Sequence, residues 1–370
     1  MSSKGILQVC LSGAWGGIEM VAYETAVKMR QNGHLVTTVC PPGSPLQNKL
    51  VQAGLPTIGA YRKHKYFAPN VVRILRKALK SGDYGACLVQ QTNDLWQMVP
   101  ALWGMKDVKL VCISHSLLAI SKRDWVHSVL YGRLNYLVAL SDIHKRNLVD
   151  RLPVKPEAVE VLPNTVDLEK FNPAKRNEAI HKEFQKNPNE MVIGVVSRLD
   201  FGKGVMETIG VAEKLREWKI PFQLVLIGRE TIGEGGCKAA LEEEIQKKNL
   251  RANVQLAGHR TDIDSVIASI DILLMPSPAE TFGRVLIEAM ASGVPVVASS
   301  GGSVSNIVHH QIEGILVKPL NVEEMAEGIR WYYDHPDKRQ RIIQNGLAAV
   351  RDVYDYRKVD HRLYGMLGLT

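Results

Sequence analysis

Glu280 and Glu288 stand eight residues apart, the first in the loop 276–284 and the second in a helix predicted over 285–292. A loop carboxylate can accept hydrogen bonds from the hydroxyls of a bound sugar. Glu288, within the first turns of that helix, can face the same pocket and accept from two neighbouring hydroxyls. Between them the free N–H groups of Phe282, Gly283 and Val285 face any phosphate at the helix start. A second loop, Ser197-Arg198-Leu199-Asp200-Phe201-Gly202-Lys203-Gly204, carries two cations. Arg198 offers a fork of donors and Lys203 a point charge, and the two can converge on a diphosphate. A third, Leu11-Ser12-Gly13-Ala14-Trp15-Gly16-Gly17-Ile18-Glu19, places paired glycines before a helix, where backbone N–H groups can approach an anion. It is neither a G-x-G-x-x-G fingerprint nor a Walker loop, because no Gly-Lys-Ser/Thr follows.

Each of these loops has to be held at the end of a strand. Short apolar runs alternate with helical stretches along the chain, the pattern of βα units around parallel sheets. In the first half, 6–10, 35–39, 86–90, 110–114 and 136–140 read as buried strands, with a helix at 20–31 that ends at Asn32-Gly33. From about 163 to 189 the chain is rich in Pro, Asn and charge and shows no buried strand. The alternation restarts with strands at 192–197, 223–227, 254–256, 272–275, 294–298 and 315–317, and helices such as 207–217 and 238–248. The predicted fold class is α/β: two Rossmann-like domains, 1–165 and 191–351, joined by a linker over 166–190 and facing a central cleft, with ligands at the C-terminal ends of strands. The stretch 331–370 reads as helical with interruptions at Pro336 and Gly346, and Tyr354, Tyr356, Leu363 and Leu367 supply an apolar face.

At 370 residues the chain suits two or three domains, and 45% hydrophobic with 23% charged residues excludes disordered and fibrous classes. No apolar run reaches the roughly 18–20 residues of a membrane-spanning helix. The N-terminal MSSKGILQVC carries no signal-peptide pattern, so a cytoplasmic location is expected. Cys10, Cys40, Cys87, Cys112 and Cys237 are scattered without a Cys-x-x-Cys pair, which excludes a disulfide scaffold and a structural zinc site. Residues 1–165 hold 20 Lys and Arg against 10 Asp and Glu, leaving 26 against 28 in 166–370; net charges of +10 and −2 add to the total of +8. The one-sided excess points to an anionic surface met by one domain. It is densest over 61–80, where Val72, Leu75 and Leu79 recur at helical spacing, Arg73, Arg76, Lys77 and Lys80 take other positions, and Tyr66 and Phe67 flank them. That segment fits an anionic membrane face, and equally a solvated surface helix.

Glu280 and Glu288, with Phe282-Gly283, Glu288-Ala289-Met290 and Gly293-Val294-Pro295-Val296-Val297, resemble the signature of the GT-B glycosyltransferases, in particular retaining family 4, the glycosyl transferases group 1. The Gly16-Gly17-x-Glu19 loop, the Arg198/Lys203 pair, Pro163-Asn164-x-Val166-Asp167 with Phe171, Gly258 and Gly301-Gly302 fall in the family's order, so the resemblance covers nearly the whole chain. It implies a retaining transferase that moves a sugar from a UDP- or GDP-sugar to an acceptor hydroxyl. Arg198 and Lys203 would bind the donor diphosphate and stabilise the charge on the leaving nucleotide. Glu288 would hold the ribose and Glu280 the transferred sugar. Backbone groups near Phe282, Gly283 and Val285 would contact phosphate or sugar, and those near His259 and Arg260 the base. Gly16 and Gly17 would close the site from the other domain, and His115 matches the family's histidine facing the donor sugar. The resemblance makes 191–351 the donor domain and 1–165 the acceptor side, with a last helix, about 352–370, crossing back onto the N-terminal domain. A covalent role for Glu280, as in a retaining glycosidase, is not adopted, since the analogy puts it at sugar hydroxyls. Retention would come from same-face attack, the departing phosphate taking the acceptor's proton. With its positive charge on the acceptor side, the expected acceptor is an anionic glycolipid, such as lipopolysaccharide core or a lipid-linked glycan.

The nucleotide-sugar is then a co-substrate, and no further cofactor or essential metal is expected. Asp262-Ile263-Asp264 reads as helix capping rather than as a metal site, and His309-His310 lacks a ligand set. The chain departs from the family after Gly301-Gly302, where Ser305 or Asn306 stands in place of a glutamate. Two other functions suit the architecture. A sugar-nucleotide epimerase or hydrolase would act without an acceptor. A non-catalytic nucleotide-sugar or nucleic-acid binding module would leave the paired glutamates unexplained, because carboxylates repel a phosphate backbone. No interleaved aromatic and basic platform is present, so a nucleic-acid partner is not expected.

Overall fold

The computed structural model describes residues 4–230 and 235–369. The chain divides into two compact units, Met1–Asn164 with Val359–Thr370, and Thr165–Lys358. The first holds seven parallel strands: β1 (Gly5–Val9), β2 (Val36–Cys40), β3 (Thr57–Gly59), β4 (Tyr84–Val89), β5 (Lys109–Ile113), β6 (Tyr136–Ala139) and β7 (Val159–Val161). Their order in the sheet is β3-β2-β1-β4-β5-β6-β7. Helices α1 (Gly17–Gln31), α2 (Pro45–Gln52), α3 (Pro69–Ser81), α4 (Leu95–Ala101), α5 (Trp125–Gly132) and α6 (Asp142–Arg151) cover the faces. A parallel sheet covered on both faces needs strands that are apolar throughout, and β1 is buried at every position. The edge strands β3 and β7 have three residues each and are for the most part only half-buried, so they show no apolar run and were not expected. β2 begins one residue later than expected, leaving Leu35 exposed.

The second unit contains α7 (Glu178–Phe184), β8 (Met191–Val196), α8 (Glu207–Glu217), β9 (Phe222–Ile227), α9 (Cys237–Lys247), β10 (Val254–Gly258), α10 (Ile263–Ala268), β11 (Ile272–Met275), α11 (Arg284–Ala291), β12 (Val296–Ser299), β13 (Ile315–Val317), α12 (Val322–Asp334) and α13 (Pro336–Ala349). Its six parallel strands are ordered β10-β9-β8-β11-β12-β13. In each sheet the direction of the crossovers reverses once, between β1 and β4 and between β8 and β11. Such switch points open a crevice at the C-terminal ends of the two strands.

Three local expectations need correction. The segment 166–190 is not plain linker: α7 lies in it, with Ile180 and Phe184 buried and His181 Nδ1 2.8 Å from the Ser269 carbonyl. Pro336 does start a new helix, but Gly346 continues α13, where the missing side chain admits Met290. Tyr354 belongs to the second unit, its ring edge-on to Phe282 at 5.8 Å and its hydroxyl donating to the Asn306 carbonyl at 3.3 Å.

The last helix, α14 (Tyr356–Leu367), joins the first unit from Val359 onward. There it buries Val359, Leu363, Met366 and Leu367, and its Tyr364 hydroxyl accepts from Asn32 Nδ2 at 3.0 Å. Thr370, the end of the expected helix, lies outside the described residues. All five cysteines are buried and free, and burial pushes the Cys40 thiol up to about 11. Among the described residues no helix is long and apolar enough to cross a membrane.

Candidate functional site

In the second unit the loops that follow β8 and β11 flank the switch point, and they carry Arg198, Lys203 and Glu280. Asp200 accepts the Gly202 N–H at 2.8 Å and folds the first loop into a short 3-10 turn, Phe201–Lys203. Gly204 follows at φ +67, where a methyl group would lie 2.3 Å from the Pro276 carbonyl oxygen. The two loops therefore touch backbone to backbone. Across this contact Lys203 Nζ meets Glu280 Oε1 at 2.6 Å, both side chains three-quarters or more buried. Glu280 is fixed from behind: its N–H donates to the Gly301 carbonyl at 3.3 Å, and its carbonyl accepts from Ser303 N–H at 2.8 Å. Gly302, at φ +70, would bring a methyl to 2.1 Å from the Glu280 carbonyl oxygen. The Gly301-Gly302 pair is what that approach requires.

Three residues past Glu280, Gly283 opens α11 and offers no side chain to cap it; the Leu286 N–H donates to the Gly283 carbonyl at 3.0 Å, and the Val285 N–H lies in the same first turn, at the positive end of the helix. Glu288 is buried on this helix, with Arg284 Nη2 3.4 Å from its Oε1. The Arg284 side chain was not singled out in the sequence, although an Arg–Glu pair at i,i+4 was there to find it. Phe282 is buried against Tyr354, which leaves only its backbone for a ligand.

Arg198 is half-exposed and pairs with Asp200 in its own loop at 3.7 Å. His259 is exposed in the loop after β10, and Arg260 is held by Glu183 at 2.7 Å and by both oxygens of Asp262 at 2.9 and 2.7 Å. The Arg260 guanidinium holds the Asp262 carboxyl below the usual carboxylate range. Asp262 does sit at the start of α10, but its side chain makes no cap; the guanidinium has taken it. Ser305 is exposed within a short turn, Val304–Asn306.

Gly16, Gly17 and His115 lie in the first unit. Gly16 precedes α1, and its N–H is taken by the Glu19 carboxylate at 2.8 Å, so one donor expected to face an anion is satisfied internally. His115 follows β5 in a loop braced by a histidine the sequence did not flag, His144 on α6. Leu140 N–H donates to His144 Nδ1 at 3.2 Å, so Nε2 carries the proton, 3.2 Å from the Ser116 carbonyl and from Ser114 Oγ. Burial lowers the His144 pKa to about 4, partly opposed by the bond to Ser116. An unfolded histidine titrates near 6.5, so the stabilisation is complete above that pH and is lost as pH falls towards 4. It amounts to on the order of 3 kcal/mol. The urea midpoint should fall between pH 7 and pH 4, and His144→Gln should flatten that fall.

Of the expected site residues, the structure joins Lys203 to Glu280 directly. Arg198 and Glu288 are seen paired within their own loop and helix, and the remaining contacts expected of the second unit are backbone groups in the loops after β10 and β11.

The glycosyl transferases group 1 model matches residues 176–348, and the glycosyltransferase family 4 model matches 15–170. D-inositol 3-phosphate glycosyltransferase of Segniliparus rotundus is 26% identical over 264 residues, 66% of this chain and 58% of that protein. The chain thus spans little more than half the length of that relative. Phosphatidyl-myo-inositol mannosyltransferase of Mycobacterium tuberculosis is 26% identical over 93% of this chain and 90% of its own. The crystal structure of Anabaena HepE in complex with UDP and glucose superposes over the full length of both chains with a TM-score of 0.84 at 21% identity. Matched by one family model in each half, on a fold shared from end to end, this protein belongs to the GT-B glycosyltransferases of family 4, the glycosyl transferases group 1.

Proposed function

We propose that the protein is a retaining glycosyltransferase that moves a hexose from a UDP- or GDP-sugar to an acceptor hydroxyl. The observation that carries this is the Lys203–Glu280 pair at the β8/β11 switch point, three residues ahead of the uncapped start of α11. Lys203 and Arg198 neutralise the diphosphate with backbone groups near Phe282, Gly283 and Val285, Glu288 holds the ribose hydroxyls, and Glu280 holds hydroxyls of the sugar. Backbone groups of His259 and Arg260 meet the base, and Gly16, Gly17 and His115 are the first unit's substrate contacts. The bond from the anomeric carbon to the diphosphate oxygen breaks, with its electron pair leaving on the diphosphate. The acceptor oxygen bonds to the same face of that carbon, and its proton passes to the departing phosphate. No metal is required, because the two cations neutralise the leaving group and both Asp262 oxygens are committed to Arg260. The HepE complex with UDP and glucose supports a donor of this class.

Thermal unfolding against UDP-, GDP- and ADP-sugars tests the donor. A ligand at 100 times its Kd adds about 2.7 kcal/mol to the native state. One nucleotide should raise the midpoint, and Arg198→Ala and Glu288→Ala should abolish the rise. No rise with any donor overturns the proposal.

The acceptor we infer is an anionic glycolipid, such as lipopolysaccharide core, reached by a cytoplasmic protein at the inner membrane face. The expected apolar stripe of α3 is not available to lipid: Val71, Leu75, Ala78 and Leu79 are buried in the unit's own core, and Val72 only packs at its margin. What faces outward is Arg73, Arg76, Lys77 and Lys80, which line an open cavity of about 380 Å³. Among the described residues none of the four forms an ion pair. Phe67 and Trp103 are exposed, and Arg76 donates to the Trp103 carbonyl at 2.8 Å. Each basic residue near an anionic surface contributes about 1 kcal/mol. Changing Arg73, Lys77 and Lys80 together to Gln should weaken binding to phosphatidylglycerol vesicles by roughly 100-fold, and high salt should do the same. Binding indifferent to both would remove the membrane contact.

A further inference from the structure

The second unit links the loops at its switch point through Lys203 and Glu280. The first unit has a corresponding link, and the transfer chemistry does not use it. After β4 the chain makes a short 3-10 turn, Thr92–Asp94, that runs into α4, and Asp94 is fully buried. Its Oδ2 accepts the Leu11 N–H at 2.9 Å, two residues past the end of β1. Its Oδ1 meets Arg62 Nη1 at 2.8 Å. The same nitrogen lies 3.1 Å from the Asn93 carbonyl and 3.1 Å from Gln97 Oε1, and the buried Gln97 donates from Nε2 to the Lys65 carbonyl at 3.0 Å. Two buried side chains, Asp94 and Gln97, thus hold the basic segment 61–65 on one side and the exit of β1 on the other.

Packing does not explain this choice of residues. Desolvating an ion pair is costly, and apolar residues of similar volume commonly serve as well. Burial pushes the Asp94 carboxyl up to about 6 against the opposing pull of Arg62 and the Leu11 N–H. What a buried pair supplies that an apolar one does not is direction: it fixes two loops in one arrangement. We propose that Asp94 and Arg62 are a positioning pair that ties the glycine loop 11–17 to the basic segment 61–67 and holds the loop ready for substrate. The proposal rests on reading the chain as a transferase whose glycine loop meets a substrate.

The test compares Asp94→Asn, which keeps the shape and an acceptor for Leu11, with Arg62→Lys, which keeps the charge, and Arg62→Met, which keeps neither charge nor donors. Gln97→Met is the milder variant should the others fold poorly. The first readout is acceptor-free release of nucleotide from UDP-glucose and GDP-mannose. Asp94→Asn and Arg62→Met should lower kcat at least tenfold per folded molecule at unchanged KM, with Arg62→Lys recovering part of it. The second readout needs no substrate: amide exchange over 11–17 should rise at least tenfold in Arg62→Met, although Arg62 makes no hydrogen bond to that loop. A merely structural pair would lower the unfolding midpoint and leave kcat per folded molecule and KM as they were, which overturns the proposal. Unchanged exchange over 11–17 overturns it even where no turnover is measurable. A wild-type protein that neither binds nor turns over any nucleotide-sugar overturns the transferase reading instead, and with it the catalytic half of this one.

Discussion

Lys203→Ala is expected to slow nucleotide-sugar turnover by roughly 10²–10³-fold, the usual cost of removing one preorganised electrostatic group from a developing charge. The geometry makes the effect larger than that of a surface lysine. Lys203 Nζ lies 2.6 Å from Glu280 Oε1 in a partly desolvated contact, so deleting the cation also leaves a carboxylate facing the incoming diphosphate. Glu280→Gln separates the two contributions. It keeps the shape, loses the negative charge and leaves Lys203 wholly to the phosphate. UDP or GDP should therefore bind more weakly to Lys203→Ala and more tightly to Glu280→Gln, while sugar transfer falls in both. Calorimetry with the nucleoside diphosphates and single-turnover kinetics with the nucleotide-sugar measure each arm, and the double variant gives the coupling between the two residues. Affinity changes of the same sign in both variants would show that Glu280 and the diphosphate do not share Lys203.

The sequence was most legible where a property is local. Central strands of a parallel sheet are buried on both faces and show as apolar runs, so β1, β4, β8 and β11 could be found, and with them the loops that carry Gly16, Arg198 and Glu280. The three-residue edge strands β3 and β7 have no such run. On α3 the spacing of apolar residues marked a helix with two faces, but spacing cannot say what each face meets; the apolar one is filled by the core of its own unit. Pairings were the least legible. Lys203 and Glu280 are 77 positions apart, and nothing local distinguishes their contact from that of Arg260 with Asp262, two positions apart, which took the carboxylate expected to cap α10. His144 and Asp94 escaped notice for a related reason. Each acts on a neighbouring loop through the backbone, and the identity of that loop leaves no mark on the residues around them.

Gly301→Ala and Gly17→Ala are expected to separate two reasons for a glycine that look alike in sequence. A methyl on Gly301 would lie 1.8 Å from the Pro278 carbonyl oxygen and 2.8 Å from its carbon, so backbone has to move. That should cost about 3 kcal/mol or more, and because Gly301 accepts the Glu280 N–H, activity should fall with stability. Gly17 is the opposite case. Apart from its chain neighbours and the backbone of its own helix, nothing lies within 4 Å of where its methyl would be, and its φ is outside the left-handed region. Alanine there, at the first position of α1, should leave stability unchanged or raise it by up to about 1 kcal/mol. Gly16 resembles it: the added methyl would meet only Glu19 Oε2, at an ordinary 3.5 Å. If turnover collapses in Gly17→Ala while the unfolding midpoint holds, the methyl is felt by a substrate and not by the protein. If turnover is untouched, the glycine serves only to start the helix, and the substrate contact inferred for this loop is wrong. The protein's own structure leaves room for the side chain, so only a ligand can object to it.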